Sequence, residues 1–122
     1  HMVKTLHLPV KIISCPTIRE SDGLAMSSRN ILLTSDEREN ASHISQTLFE
    51  AKKKYKEHSV DDLKKWVTEQ INDNPFLTLE YFEVTDAETL NPVSYWVDTK
   101  NIRACIAVKI GNIRLIDNIR MC

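Results

Sequence analysis

Apolar residues recur every three or four positions between residues 34 and 57, which is the spacing of one buried face of a helix. This stripe consists of Ala41, Ile44, Leu48, Ala51 and Tyr55. The preceding Thr-Ser-Asp-Glu at residues 34–37 matches a capping box, in which the first and fourth side chains satisfy free backbone N–H groups. The pattern predicts a helix that is capped by Thr34 and ends near residue 57.

A second stripe predicts a shorter helix after residue 59. Its buried positions are Val60, Leu63, Val67 and Ile71. Ser59 is the predicted N-cap, and Asn-Asp-Asn-Pro at residues 72–75 is typical of a helix end. Trp66, beside the stripe, and Trp96 are both predicted to pack against the core or its edge.

The apolar period changes to two after residue 77, which predicts strands. Phe82 and Val84 lie on one face of the first strand, and residues 81 and 83 on the other. Strands are also predicted at residues 104–110 and 113–118, because Gly111-Asn112 between them is typical of a two-residue hairpin. A short apolar run at residues 10–15, stopped by Pro16, predicts one more strand. The expected fold class is α+β, a small antiparallel sheet packed against two helices.

Composition agrees with one globular domain. The chain has 122 residues, 42% of them hydrophobic and 27% charged, with a net charge of −1. That charge gives no reason to expect a nucleic acid or a membrane as partner, and no apolar run approaches the roughly 20 residues of a membrane span. Residues 1–2 are interpreted as a tag or cloning remnant, with Met2 either a cloned start or native, and residues 3–122 as a single domain.

The three cysteines are widely spaced, with no paired C-x-x-C motif. They predict reduced thiols and, with no apolar leader after residue 1, a cytoplasmic protein. Cys15 and Cys105 lie in apolar runs and are expected to pack as small hydrophobic residues.

A polar loop at residues 16–33 carries the candidate chemistry. Ser27 and Ser28 offer two hydroxyl donors, and Arg29 offers a planar, permanently charged fork, a combination that suits phosphate oxygens. Gly23 gives the loop the freedom to fold tightly. On these residues alone, a solvated loop that leads into a helix cap is the favoured interpretation.

The longer string around this loop resembles the pantothenate synthetases, the pantoate–β-alanine ligases. Their typical run is Arg-Glu-x-Asp-Gly-Leu-Ala-x-Ser-Ser-Arg-Asn-x-Tyr-Leu, and residues 19–33 fit it except at Leu32, where the family usually has Tyr. Residues 3–10 are similar to the segment that leads out of the family's first domain, and residues 107–118 to its terminal hairpin. The resemblance therefore covers the C-terminal domain only.

This resemblance implies a ligase that joins pantoate to ATP, releases pyrophosphate, and lets β-alanine attack the pantoyl adenylate, giving pantothenate, a coenzyme A precursor, and AMP. It implies that Ser27, Ser28 and Arg29 are the catalytic ATP-phosphate ligands, and that the main chain at Ile18 and Met26 frames the adenine. Mg²⁺ would arrive with ATP, bound mainly by phosphates and water, and no protein-bound metal is predicted.

The family's first domain carries a His-x-Gly-His element and the pantoate and β-alanine pockets, and this sequence has no such element. The chain is therefore expected to be an ATP lid that is inactive alone. The resemblance implies a homodimer for the full-length enzyme and leaves the oligomeric state of this chain open. Two other readings stay open, a nucleotide-sensing domain and an α+β module that binds protein partners.

Arg114, Asp117 and Asn118 near the end of the last predicted strand have two interpretations. They either reach a ligand or form hydrogen bonds within the fold, and the second interpretation is favoured.

Overall fold

The computed structural model describes residues 2–122. Its helices are α1 (Met2–Thr5), α2 (Ser35–Lys54) and α3 (Val60–Asn72), with short 3-10 turns at Ser28–Leu32 and Tyr55–Glu57. Its strands are β1 (Leu77–Asp86), β2 (Ile102–Ile110) and β3 (Ile113–Arg120). The interpretation of residue 1 as a tag remnant lies outside the described residues.

The strands form one antiparallel sheet in the order β1-β2-β3. The register places Phe82 of β1 opposite Ile106 of β2, and Ile106 opposite Asp117 of β3, so these three side chains share one face. Helices α2 and α3 contact the sheet and each other, and their apolar stripes form one core with its alternate positions. The predicted α+β class is confirmed.

Both predicted helix starts are confirmed. The Thr34 hydroxyl accepts a hydrogen bond from the Glu37 N–H at 3.3 Å, and the Glu37 carboxylate accepts one from the Thr34 N–H at 2.9 Å. At the start of α3, the Ser59 hydroxyl accepts from the Asp62 N–H at 3.1 Å. Helix α2 ends at Lys54, and the 3-10 turn that follows reaches Glu57, close to the predicted end.

Thr34→Ala is expected to lower the free energy of unfolding by about 1 kcal/mol, because it leaves the Glu37 N–H at the start of α2 without its side-chain acceptor. Ser35→Ala is the control, since Ser35 is exposed in the same turn and its side chain does not cap the helix. Urea denaturation of both variants measures the difference. Equal losses in the two variants would contradict the capping role.

The strand prediction at residues 10–15 is wrong. No residue within 2–122 pairs with this segment in a ladder, and Val10, Ile12 and Ile13 are all exposed. β-Branched residues favour extended backbone, yet a strand also needs a neighbouring strand to satisfy its N–H and C=O groups.

The expectation that Cys15 packs as a hydrophobic residue is also wrong, because the thiol is exposed. Cys105 is half-buried in the sheet, and this burial raises the pKa of its thiol.

The prediction that both tryptophans pack at the core or its edge is confirmed. Trp66 and Trp96 are partly buried against the core cluster. Trp96 packs edge-on against Tyr55 with ring centroids 5.2 Å apart, and its indole N–H donates to the His58 carbonyl at 2.7 Å. These contacts hold the long β1–β2 connection against the end of α2. Within residues 2–122, no helix is long and apolar enough to cross a membrane.

Candidate functional site

The candidate loop folds into a small hairpin. Arg19 and Ala25 form an antiparallel bridge, and the Met26 N–H donates to the Ile18 carbonyl at 2.9 Å. At the tip, the Gly23 N–H donates to the Glu20 carbonyl at 2.9 Å. The structure therefore brings the main chains of Ile18 and Met26 together, although they are separated by a turn in sequence.

Gly23 is required at this tip. Its φ of +93° lies in the region that side chains other than glycine rarely adopt, and a Cβ there would lie 3.2 Å from Ser45 Oγ and 3.3 Å from Phe49 Cε2. The hairpin consequently lies directly against helix α2. Glycine supplies both the turn and the close approach.

Arg19 connects this hairpin to the sheet. Its guanidinium forms a bidentate ion pair with Asp117, with N···O distances of 2.6 and 3.0 Å, and also donates to the Gly23 carbonyl at 3.0 Å. It stacks 5.0 Å from the centre of the Phe49 ring on α2. The side chain of Asp117 is only 3% exposed. This ion pair was not foreseen from the sequence, because its two residues are 98 positions apart.

A second ion pair holds the hairpin from the outside. The Arg38 guanidinium on α2 contacts the Asp22 carboxylate at 2.6 Å, and Asp22 also accepts from the Leu24 N–H at 3.2 Å. The hydrogen bond from Arg38 is the main cause that holds the pKa of Asp22 below its ordinary value of 3.8. The pair is partly exposed, so salt screens it more than the Arg19–Asp117 pair.

Acidification is expected to release this outer ion pair. Because the pKa of Asp22 is lowered in the fold, the pair stabilises the folded state fully above pH 3.8, and this contribution is lost as the pH falls through the lowered pKa. NMR shifts of the amides at residues 22–24 measure the transition, which Asp22→Asn should abolish. A transition centred at or above pH 3.8 would contradict the assignment.

The three predicted phosphate ligands lie at the start of the 3-10 turn that follows the hairpin. Ser27 is the N-cap, and its hydroxyl accepts from the Arg29 N–H at 3.2 Å. All three side chains are exposed, and within residues 2–122 the Arg29 guanidinium has no carboxylate partner. Arg19 and Arg38 serve the fold, which leaves Arg29 available for a ligand.

Asn30 supports this turn from below. Its side chain is buried, and its Nδ2 donates to the Ala25 carbonyl at 3.1 Å, while its Oδ1 has no hydrogen-bond partner in the described residues. Sequence reasoning treated Asn30 only as part of the family string. Only the structure identifies its supporting role, because the burial of its side chain and the exposure of its neighbours cannot be read from the sequence.

A cleft of about 200 Å³ separates this turn from strand β3. The loop contributes Met26, Ser27 and Arg29 to its lining, and β3 contributes Arg114 and Asp117. Ser28 and Ile18 do not line the cleft. The structure thus brings together three of the five predicted site residues around one cleft, and the other two are not part of its lining.

The charge around the cleft is positive. Asp117 is paired with Arg19, so its negative charge is compensated, whereas Arg29 has no such partner in residues 2–122. Arg114 is hydrogen-bonded to Glu80, which also faces Lys109 at 3.4 Å, so two cations share one carboxylate. Such a cleft suits an anionic ligand. In the described part of the chain there is no group of three or more His, Cys, Asp or Glu side chains that would hold a metal ion.

The favoured interpretation of the last strand agrees with these contacts. Asp117 binds Arg19, Asn118 accepts from Arg103, and Arg114 donates to Glu80, so all three side chains have partners within the fold.

Comparison of the sequence with models of known protein families gives a match over almost the whole chain. A family model described as pantoate-beta-alanine ligase matches residues 1–120. The chain belongs to this family. Curated relatives include the pantothenate synthetases of Bacteroides thetaiotaomicron, 49% identical over 119 residues, and of Porphyromonas gingivalis ATCC 33277, 45% identical over 119 residues. Each alignment covers 98% of this chain and 42% of the relative, so the chain spans less than half of their length.

Solved structures of pantoate-beta-alanine ligases share the fold. The crystal structure of pantothenate synthetase from Thermus thermophilus is 32% identical and superimposes with a TM-score of 0.87 over 98% of this chain and 43% of that one. The ligase from Francisella tularensis, complexed with beta-gamma ATP and beta-alanine, is 30% identical with a TM-score of 0.58, over 98% of this chain and 37% of that one. Both the resemblance and the α+β fold are thereby confirmed for this chain.

Leu32 is the departure from the family pattern noted in the sequence. It lies at the end of the 3-10 turn with most of its side chain exposed. Leu32 is not among the residues that line the cleft.

Proposed function

We propose that this chain is the C-terminal, ATP-binding domain of an AMP-forming pantoate–β-alanine ligase. One observation carries the proposal. The exposed Ser27 and Arg29 line a positively charged cleft, while buried contacts fix the hairpin behind them. Family membership supplies the reaction class, and the cleft supplies a place for the phosphates of ATP.

The proposed chemistry begins when the carboxylate of pantoate attacks the α-phosphate of ATP. Negative charge then grows on the departing pyrophosphate. Hydroxyl donors on Ser27 and Ser28 and the Arg29 guanidinium would stabilise this charge more strongly in the transition state than in the ground state. β-Alanine then displaces AMP from the pantoyl adenylate and forms the amide bond of pantothenate.

The adenine is assigned to the base of the hairpin. The hydrogen bond between Ile18 and Met26 holds the main chains of these two exposed residues side by side, and Met26 also lines the cleft. An adenine placed there would have its phosphates directed toward the turn. Mg²⁺ is assigned to the ATP phosphates and water, as part of the substrate.

The remainder of the active site is assigned to the part of the ligase that this chain does not match. Pantoate and β-alanine would bind there, and this domain would close over ATP like a lid. We expect no pantothenate formation by the 122-residue chain alone, and a homodimer for the intact enzyme. The cytoplasm is the proposed compartment, because ATP is available there and the exposed thiols of Cys15 and Cys122 stay reduced.

Two measurements test this function. ATP·Mg²⁺ titrated into the 122-residue chain should shift the NMR amide signals of residues 18–29. A chimera, in which this chain replaces the 119 matched residues of the Bacteroides thetaiotaomicron synthetase, should form pantothenate. Binding of ATP without activity in a folded chimera would favour a nucleotide-sensing domain, and the absence of both would favour a protein-interaction module.

A further inference from the structure

We propose that the Arg19–Asp117 ion pair is a positioning element for ATP, which fixes the hairpin so that Ser27 and Arg29 face the cleft before the nucleotide binds. The inference rests on the proposed function of the loop. It assigns a role to two residues that lie outside the expected set of phosphate ligands.

The contacts of Arg19 reach three separate parts of the domain. Its guanidinium binds the Asp117 carboxylate on β3, the Gly23 carbonyl at the hairpin tip and, by stacking, the Phe49 ring on α2. A fourth contact reaches the Asn118 carbonyl at 3.4 Å. The planar fork of arginine makes these contacts together, which the single ammonium group of lysine does not. Movement of the hairpin relative to the sheet would break several of them at once.

Asp117 acts through the loop and not on the nucleotide. It lines the cleft, but Arg19 occupies both carboxylate oxygens, and the Asn118 N–H donates to Oδ1 at 2.7 Å. A free carboxylate here would repel phosphate. Because Arg19 neutralises its charge, Asp117 instead forms part of the cleft lining together with Ser27 and Arg29. Asp117 is therefore a positioning residue.

The other contacts of the hairpin join it to the core and to α2, and Leu24 is buried in the core cluster. The ladder of the hairpin is a single bridge between Arg19 and Ala25, and the Asp22–Arg38 pair is about one third exposed at each partner. The Arg19–Asp117 pair is the buried link between the hairpin and β3, the strand that forms the opposite wall of the cleft. A fixed loop loses less conformational freedom when ATP binds, so less of the free energy of its contacts with ATP is spent on ordering the loop.

Arg19→Lys in the chimera tests the proposal, because it keeps the positive charge and removes the fork. We expect kcat/KM for ATP to fall by at least about tenfold, towards the roughly 100-fold loss that a misplacement of about 1 Å produces. The KM for β-alanine should stay unchanged, since its site lies elsewhere. Lys64→Gln is the matched control, because it removes the Lys64–Glu83 ion pair, which joins α3 to β1 away from the cleft.

Asp117→Asn provides the second variant, with the shape of the side chain retained. It should lower kcat/KM for ATP like Arg19→Lys, and the amide shifts of residues 27–29 in the nucleotide-free chain should move in both variants. Unchanged ATP kinetics in folded Arg19→Lys would overturn the proposal, as would equal losses for ATP and β-alanine that follow the thermal midpoint. If Arg29→Ala also leaves kcat/KM for ATP unchanged, the proposed function of the loop fails. If Arg29→Ala lowers kcat/KM for ATP but the Arg19 and Asp117 variants do not, only the positioning role fails.

Discussion

Arg29→Ala in the chimera is expected to lower ATP-dependent pyrophosphate release by about 100- to 1,000-fold, the usual cost of losing one preorganised donor to a developing negative charge. The guanidinium is exposed at the cleft and has no carboxylate partner in residues 2–122. In the proposed role it would meet the phosphates without first breaking an ion pair. Steady-state measurement of pyrophosphate with saturating pantoate and β-alanine gives the loss.

We expect Arg29→Ala to leave the thermal stability of the fold unchanged. The hydrogen bond from Arg29 to the Ser27 hydroxyl involves the backbone N–H of Arg29, which alanine keeps. Thermal unfolding of the variant should match that of the parent chain, and Lys65→Ala, an exposed cation on α3, should change neither property. Parallel losses of thermal stability and activity would show instead that Arg29 is a structural arginine.

Leu48→Ala is expected to produce the largest loss of stability, about 2–5 kcal/mol in the free energy of unfolding. Leu48 is fully buried in the middle of α2, within the cluster that joins the helices to the sheet. Truncation removes apolar contacts and leaves a cavity that the surrounding sheet only partly fills. Against a typical total stability of roughly 5–15 kcal/mol, such a loss is severe.

Gln46→Ala is the matched control for this prediction, because Gln46 lies on the exposed face of the same helix. Urea denaturation of both variants should show a large shift for Leu48→Ala and almost none for Gln46→Ala. Similar shifts in the two variants would contradict the assignment of the buried stripe. Since the hairpin tip contacts α2 through Gly23, the Leu48 variant should also weaken ATP binding near its melting temperature.

Local signals in the sequence were enough to predict most of the fold. The capping box at Thr34, the stripes of both helices and the turn at Gly111-Asn112 each act over a few residues, and the structure contains all of them. The segment at residues 10–15 shows the limit of this reasoning. Its residues prefer an extended backbone, but a strand exists only where another strand accepts its hydrogen bonds.

The candidate site shows the same division between local and distant contacts. The contiguous residues 27–29 could be proposed as phosphate ligands from one short string, because phosphate chemistry and family resemblance both point to them. The Arg19–Asp117 pair could not, since nothing in the sequence matches an arginine to one particular carboxylate 98 positions away. Only the register of β3, which turns Asp117 toward the helix-covered face, shows why this aspartate is the partner.

Pantothenate formation by the chimera with the Bacteroides thetaiotaomicron synthetase tests the central claim most directly. The account predicts ATP- and pantoate-dependent release of pyrophosphate followed by pantothenate and AMP, with the activity lost on Arg29→Ala. A chimera that is folded by thermal and spectroscopic criteria, yet forms no pantoyl adenylate with all substrates present, would contradict it.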